Sequence, residues 1–237
     1  MEIHSKIAIV TGASSGLGAA IAKTLVAENA TVYGLARNKE RLERIEKEFG
    51  TSFIPVRLDL SDRSAVNTWV SKTFSRNHCP DILINNAGVG SFGKIDEIES
   101  ETWDVMVNTN LTGMYNITSQ VVKWMRKTVH PSHIVNIGSI LGSVTRAEGA
   151  AYSATKFGIR GFSDSLFKEL RGENIKVTLL NPGSIDTRFF ESSGIESHKN
   201  MLQPNDIANT VLHVLKTPDN MLINEMTIRP LHPQKPK

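Results

Sequence analysis

The sequence predicts an α/β fold, a doubly wound parallel sheet with helices on both faces. Three observations carry the prediction. Short runs rich in Ile and Val alternate with longer segments of helical periodicity along the whole chain, the pattern of repeated βαβ units. The first run leads directly into a glycine-rich turn that opens a helix. No linker, composition shift or internal repeat divides the 237 residues, so 1–237 is expected to be a single domain.

The elements follow in order. Ile7–Thr11 is an apolar run bounded by glycine, and Gly16–Asn29 then places Leu17, Ile21, Leu25 and Val26 at helical spacing. Thr31–Ala36 reads as a strand. Lys39–Phe49 is a charged helix with Gly50 as its C-cap. Phe53–Leu58 is a third strand, and Ser61 is a suitable N-cap for a helix over Asp62–Arg76. Ile82–Asn85 is a short fourth strand followed by two helices, Glu101–Thr109 and Leu111–Thr128. His133–Ile137, Ala150–Arg171 and Ile175–Leu180 form the next strand–helix–strand unit, which stops at Pro182-Gly183. Pro204–Leu215 is a helix with proline in its first turn, and Met221–Ile228 is a last strand.

Composition excludes several function classes. A hydrophobic content of 40% with 22% charged residues is that of a globular chain with a large core, not of a disordered or fibrous one. The net charge of +3 is spread over scattered residues, so no nucleic-acid arm or membrane-surface helix is expected. The single cysteine, Cys79, cannot form an internal disulfide and reads as a small structural residue. No stretch approaches ~18 consecutive apolar residues, and Met1–Lys6 has no basic-then-apolar leader pattern, so no membrane span and a cytoplasmic location are expected. No metal site is expected.

The turn after the first strand reads Thr11-Gly12-Ala13-Ser14-Ser15-Gly16-Leu17-Gly18. Glycine allows a sharp turn and a close approach to phosphate, and the free N–H groups of the helix that begins here attract an anion. This points to a Rossmann-type dinucleotide site, with Gly12, Ser14, Ser15, Gly16, Leu17 and Gly18 as cofactor-binding residues. The spacing lacks G-x-x-x-x-G-K-[ST], which sets aside an ATP-type loop. The second strand ends in Leu35-Ala36-Arg37-Asn38, with arginine where NAD-binding folds usually carry an acid. A guanidinium pairs with a 2′-phosphate, so NADP(H) is expected over NAD(H), with Ser14, Arg37 and Asn38 near that phosphate; otherwise Arg37 is a plain surface cation. Asp59-Leu60 and Asn85-Asn86-Ala87-Gly88 also lie at C-terminal strand ends, where such folds bind ligands. Asp59 reads equally as a helix cap, and Asn85-Asn86 as a satisfied turn.

Tyr152 and Lys156 are four residues apart on one helical face. A free phenol has a pKa near ~10, and a nearby ammonium favours the phenolate, so the pair can tune an acid–base catalyst. Ser139 stands 13 residues earlier, after the fifth strand, and Asn110 lies between two helices. Pro182-Gly183-Ser184-Ile185-Asp186-Thr187 follows the sixth strand. The ordered series T-G-x-x-x-G-x-G, D-L, N-N-A-G, N, S, Y-x-x-x-K and P-G-x-I-x-T, over residues 11–187, resembles the short-chain dehydrogenase/reductase family.

That resemblance implies roles. Tyr152 exchanges the proton with the substrate oxygen, Ser139 orients that oxygen, Lys156 holds the nicotinamide ribose and lowers the Tyr152 pKa, and Asn110 holds a water for proton relay. Asp59 and Leu60 lie at the adenine, and Asn86, Ala87 and Gly88 line the adenosine side, with one of the two asparagines bracing the sheet. Pro182, Gly183, Ile185 and Thr187 meet the nicotinamide end. The implied reaction is hydride transfer between NADP(H) and a small alcohol or carbonyl.

Specificity is expected in a substrate lid around 184–203. Ser139, Leu141, Arg188, Phe189 and Phe190 are candidate substrate residues. The two phenylalanines either wall the pocket or anchor the segment to the core; Arg188 either meets a carboxylate or is solvated; His198 reads as a surface residue. The ending Asn224–Gln234 resembles the NADP-dependent 3-hydroxy acid and serine dehydrogenases, which suggests short hydroxy acids as substrates, with Arg229 a further candidate. A 3-oxoacyl-carrier-protein reductase is the alternative, with Arg126, Lys127 and Arg146 as a docking patch; a non-catalytic NADPH-sensing regulator is the rival from another class. The resemblance also implies a homodimer or homotetramer through the helices Leu111–Thr128 and Ala150–Arg171, with Gly158, Ile159, Gly161 and Phe162 at the contact.

Overall fold

The strands are β1 (Ile7–Thr11), β2 (Thr31–Ala36), β3 (Phe53–Arg57), β4 (Ile82–Asn85), β5 (Ser132–Ile137), β6 (Ile175–Pro182) and β7 (Glu225–Ile228). The helices are α1 (Gly16–Ala27), α2 (Lys39–Phe49), α3 (Arg63–Thr73), α4 (Ser100–Val107), α5 (Met114–Met125), α6 (Ala150–Leu170) and α7 (Pro204–Leu215). The computed structural model describes residues 1–187, 189 and 198–232. Its seven strands are all parallel, in the order β3-β2-β1-β4-β5-β6-β7. This is the expected doubly wound Rossmann-type arrangement, and its strand order reverses between β1 and β4.

Helices on both faces require strands that are apolar on both faces, and the central strands are. Ala8, Val10, Ile82 and Ile84 pack under α1 and α7, against Ile21, Leu25, Ile207 and Val211. Their alternates Ile9 and Leu83 face the other way, with Val66 of α3 and Ile117 and Val121 of α5. One buried polar chain crosses the second layer. The Asn85 amide donates to Thr118 Oγ1 and Asn136 Oδ1, both at 2.9 Å; Asn136 donates to Ser163 Oγ at 2.9 Å, and Ser163 to the Ile159 carbonyl at 2.7 Å. It ties β4, β5, α5 and α6 into one register, since a buried polar group left unpaired is costly. At the edge, Asn181 and Arg160 both bond Glu225, which fixes the four-residue β7.

Several boundaries differ from the sequence reading, most by one to three residues, and four of the differences bear on packing. Asp62, not Ser61, caps α3, accepting from the Ala65 amide at 2.9 Å; Ser61 is engaged with Asp59 instead. The two helices expected after β4 are joined by a wide π-helical turn, Asn108–Gly113, so α5 begins only at Met114. β6 runs on through Pro182, whose missing N–H the edge pairing with β7 tolerates. The last strand begins at Glu225, not Met221.

His133 of β5 is fully buried, with Nε2 2.9 Å from Thr178 Oγ1 and Nδ1 unpartnered. Thr178 donates its own proton to the Ile223 carbonyl, so the ring is a neutral Nε2–H donor. Burial, with the Lys176 charge and the N-terminal ammonium adding to it, pushes the imidazole down to about 3. Because the folded pKa lies below the unfolded one, the unfolded chain binds the extra proton between about pH 6.5 and 3. Stability is therefore complete above 6.5 and falls as the pH drops, with a slope approaching about 1.4 kcal/mol per pH unit from this residue alone. In thermal melts across that window, His133→Leu is expected to flatten the acid limb relative to the parent protein; parallel limbs would show that His133 does not carry it.

Candidate active site

The site opens where β1 and β4 end side by side. The buried Thr11 hydroxyl donates to the Ile84 carbonyl at 3.1 Å and accepts from the amides of Asn86 and Ala87 at 2.9 and 3.0 Å. The Asn86 side chain donates back to the Thr11 carbonyl at 2.9 Å. Gly12 has φ +67° and packs onto this clamp so closely that a Cβ would lie 2.9 Å from Asn86 Nδ2. At Gly18, a Cβ would lie 2.3 Å from the Gly12 carbonyl oxygen, so the turn and the first turn of α1 fit only without side chains there. Ser15 makes no side-chain cap bond and no acid occupies the first turn of α1. The first N–H groups of α1 thus keep their anion-attracting field, which fits a pyrophosphate.

From this turn a cleft of about 620 Å³ runs along the C-terminal strand ends. Arg37 and Asn38 stand at one end, and Arg41, which the sequence reading missed, lies one helical turn beyond Arg37. Neither arginine has an ion pair among the described residues. Asn38 spends its side-chain oxygen on the Arg41 amide (2.8 Å), capping α2. Asp59 accepts from the Ser61 hydroxyl and amide at 2.7 and 2.9 Å; these bonds and, at longer range, Arg37 hold its carboxyl below its usual value against partial desolvation. Leu60, Asn86, Ala87 and Gly88 continue the wall, and Pro182, Gly183, Ile185 and Thr187 form the opposite lip. Thr187 sits across from Gly16, 3.4 Å from where its Cβ would be.

Ser139, Tyr152 and Lys156 meet at the far end. Ser139 accepts from the Leu141 amide at 3.1 Å, and its hydroxyl stands near enough to the Tyr152 phenol to favour the ionised form. The Lys156 ammonium lies 5.6 Å from the centre of the Tyr152 ring and donates to the Ile137 carbonyl at 3.2 Å. Burial dominates both groups. It pushes the phenol well above its ordinary value, outweighing the opposing effect of the Ser139 hydroxyl, and drops the ammonium to about 8. The expected lowering of the Tyr152 pKa is therefore not found in the protein alone, because desolvation favours the neutral form of each partner.

Asn110 lies behind the cleft. Its amide donates to the Val89 carbonyl (2.9 Å) and Thr155 Oγ1 (3.0 Å), and its Oδ1 accepts from the Val89 amide (2.9 Å). The side chain is thereby committed to bracing Val89 against α6. Of the two adjacent asparagines, Asn85 braces the sheet and Asn86 faces the cleft.

Phe189 is a wall of the pocket. Its ring lies 5.5 Å from that of Tyr152, and the missing side chain of Gly90 leaves it room, since a Cβ there would lie 2.3 Å from Phe189 Cζ. Phe92 packs edge-on against Tyr152 from another side at 5.4 Å, and Leu141 joins the same apolar cluster. Gly90 and Phe92 were missed, although Gly88-Val89-Gly90 is a glycine-rich run after a strand. Arg188 and the segment 190–197, which includes Phe190, lie outside the described residues. His198 is half-buried, not a surface residue. Arg229 does not line the cleft. Cys79 donates to the Ser75 carbonyl and burial raises its thiol pKa, as suits a structural residue. No helix among the described residues is long and apolar enough to cross a membrane.

The chain is 33% identical over 230 residues to an uncharacterised oxidoreductase of Staphylococcus epidermidis, covering 97% of this chain and 99% of the relative. Among solved structures it is similar to a closed serine dehydrogenase complexed with NADP+ (29% identity, TM-score 0.86, 94% of each chain). It is also similar to a 3-ketoacyl-(acyl-carrier-protein) reductase of Brucella melitensis complexed with NADH (26% identity, TM-score 0.90, 98% of this chain and all of the other). The short chain dehydrogenase model matches residues 6–197, a span holding the glycine turn, Ser139, Tyr152 and Lys156. With that match and these relatives, the chain belongs to the short-chain dehydrogenase family of oxidoreductases.

Proposed function

We propose that the protein is an NADP(H)-dependent carbonyl reductase or alcohol dehydrogenase for small substrates, working as one domain with a lid over 184–203. The observation that carries this reading is the convergence of Ser139, a protonated Tyr152 and Lys156 at the end of a cleft that begins at an anion-binding glycine turn. When bound, the nicotinamide supplies the hydride that becomes the new C–H bond of the alcohol and is left oxidised. Ser139 orients the substrate oxygen. Tyr152 gives its phenolic proton to that oxygen as the carbonyl is reduced, and takes it back in the alcohol-oxidising direction. Lys156 holds the ribose hydroxyls and, as an ammonium, stabilises the phenolate left on Tyr152 until a solvent proton replaces the one given up. The apolar surround of Phe92, Leu141 and Phe189 keeps water from this exchange.

Arg37 and Arg41 at the adenosine end support NADP(H), as does the NADP+ bound to the similar serine dehydrogenase. A 3-oxoacyl-carrier-protein reductase is favoured by the Brucella likeness, but two of its expected docking cations are elsewhere. Arg126 is paired with Glu169 and Glu173 at the N-terminal ends of the strands, and Lys127 lies over Trp124. A second copy of the chain would cover the helices carrying Tyr115 and Phe157, both large and exposed.

Following NADPH consumption over a panel of small ketones and aldehydes, Tyr152→Phe should lower kcat by about 10²–10⁴-fold with NADPH still bound. Wild-type-like turnover in Tyr152→Phe would refute the mechanism. In the parent protein, the reduction rate should be level at neutral pH and fall as pH rises through about 8, where Lys156 loses its proton; a flat profile to pH 10 would remove Lys156 from the proton path. For the cofactor, Arg37→Glu should weaken NADPH by about 10–100-fold and spare NADH, since one charge-assisted pair to phosphate is worth about 1.5–3 kcal/mol. Equal dissociation constants for the two cofactors in the parent protein would overturn the NADP preference.

A further inference from the structure

Arg146 lines the cleft beyond Tyr152, at the opposite end from Arg37 and Arg41. Its side chain is exposed and is steered by two contacts. Nε donates to the Ala147 carbonyl at 3.2 Å, and the guanidinium lies over the Phe92 ring at 5.1 Å. Cγ occupies space that a side chain on Gly149 would fill, 2.9 Å from where its Cβ would be. The guanidinium has no acidic partner and no bond from its two terminal nitrogens among the described residues. Asp59 is the one acid on the described cleft wall and sits at the adenosine end, while Lys156 bonds the Ile137 carbonyl beside Tyr152. A long arginine normally loses much entropy when it is ordered by a ligand; the Phe92 ring and the Ala147 carbonyl restrict part of that freedom beforehand. Phe92 links the guanidinium to the reaction centre, since the same ring packs at 5.4 Å on Tyr152. Arg146 itself is exposed at the cleft mouth, so an anion reaches it from solvent, and the planar guanidinium offers two parallel donors to a carboxylate while the walls toward Tyr152 are apolar.

We propose that Arg146 selects the substrate: it pairs with a carboxylate a few bonds from the carbonyl that Tyr152 and Ser139 hold, so that the enzyme reduces short oxo acids and oxidises the matching hydroxy acids. The inference rests on the oxidoreductase reading above. Hydride and proton go to the carbonyl as described, and the carboxylate is unchanged by the reaction.

The test compares acetoacetate and 4-oxopentanoate with their methyl esters, using NADPH, in the parent protein and in Arg146→Gln, Arg146→Lys and Tyr152→Phe. The ratio of kcat/KM for acid over ester should favour the acid in the parent and fall by about 10–100-fold in Arg146→Gln, mainly through KM of the acid, while Arg146→Lys recovers part of it. An ester preference in the parent, or equal losses on acid and ester in Arg146→Gln, would overturn the proposal even if Tyr152-dependent reduction is intact. Absence of Tyr152-dependent reduction of every compound would instead remove the oxidoreductase reading, and this inference with it. Turnover confined to an acetoacetyl thioester would also overturn it, in favour of a carrier-bound substrate.

Discussion

Where the strand order of a parallel sheet reverses, two neighbouring strands end together and their crossovers leave toward opposite faces. The backbone groups at that point lose their sheet partners and need others. In this protein Thr11 supplies them, with one hydroxyl that donates to Ile84 and accepts from Asn86 and Ala87. Asn86 completes the clamp on the Thr11 carbonyl. The glycine turn rests on this junction, α1 starts from the turn, and the cleft exists because the two crossovers diverge there. The constraint is one of polar satisfaction at a topological break, and it places every later residue of the site.

The far end of the cleft obeys a different rule. Tyr152 and Lys156 are both buried, and a low-dielectric surround shifts each toward its neutral form, the phenol upward and the ammonium downward. A phenol that keeps its proton suits the role of proton donor, and an ammonium near neutrality can respond when charge develops beside it. The Asn85–Asn136–Ser163 chain and the Asn110–Thr155 bond hold α6 against the sheet, so the two side chains keep their places without touching the cleft's brace residues.

Much of this was legible locally. The glycines, Arg37 at the end of β2 and the four-residue spacing of Tyr152 and Lys156 each express a requirement met within one turn of chain. The Arg41 position follows from helical spacing and was available to the same reasoning. Other assignments were not. Ser61 and Asp62 are both good caps, and which one caps α3 depends on Asp59 engaging Ser61. Asn85 and Asn86 are neighbours with opposite roles, and the pleat of β4 and its exit decide which side chain enters the sheet interior. Whether Phe189 is a wall or an anchor depends on Gly90, almost a hundred residues away in the chain.

By itself, the sequence determined the parallel α/β architecture, the family motif series and the identity of the groups at the strand ends, because periodicity, turn chemistry and helical spacing are short-range properties. Only the tertiary structure decided what each group is paired with and how dry it is. It committed Asn110 to Val89 and Thr155, reversed the expected shift of Tyr152, and left the Arg146 fork unpaired at the substrate end. Desolvation and hydrogen-bond partnership depend on atoms distant in sequence, so they come into being only when the chain has closed around them.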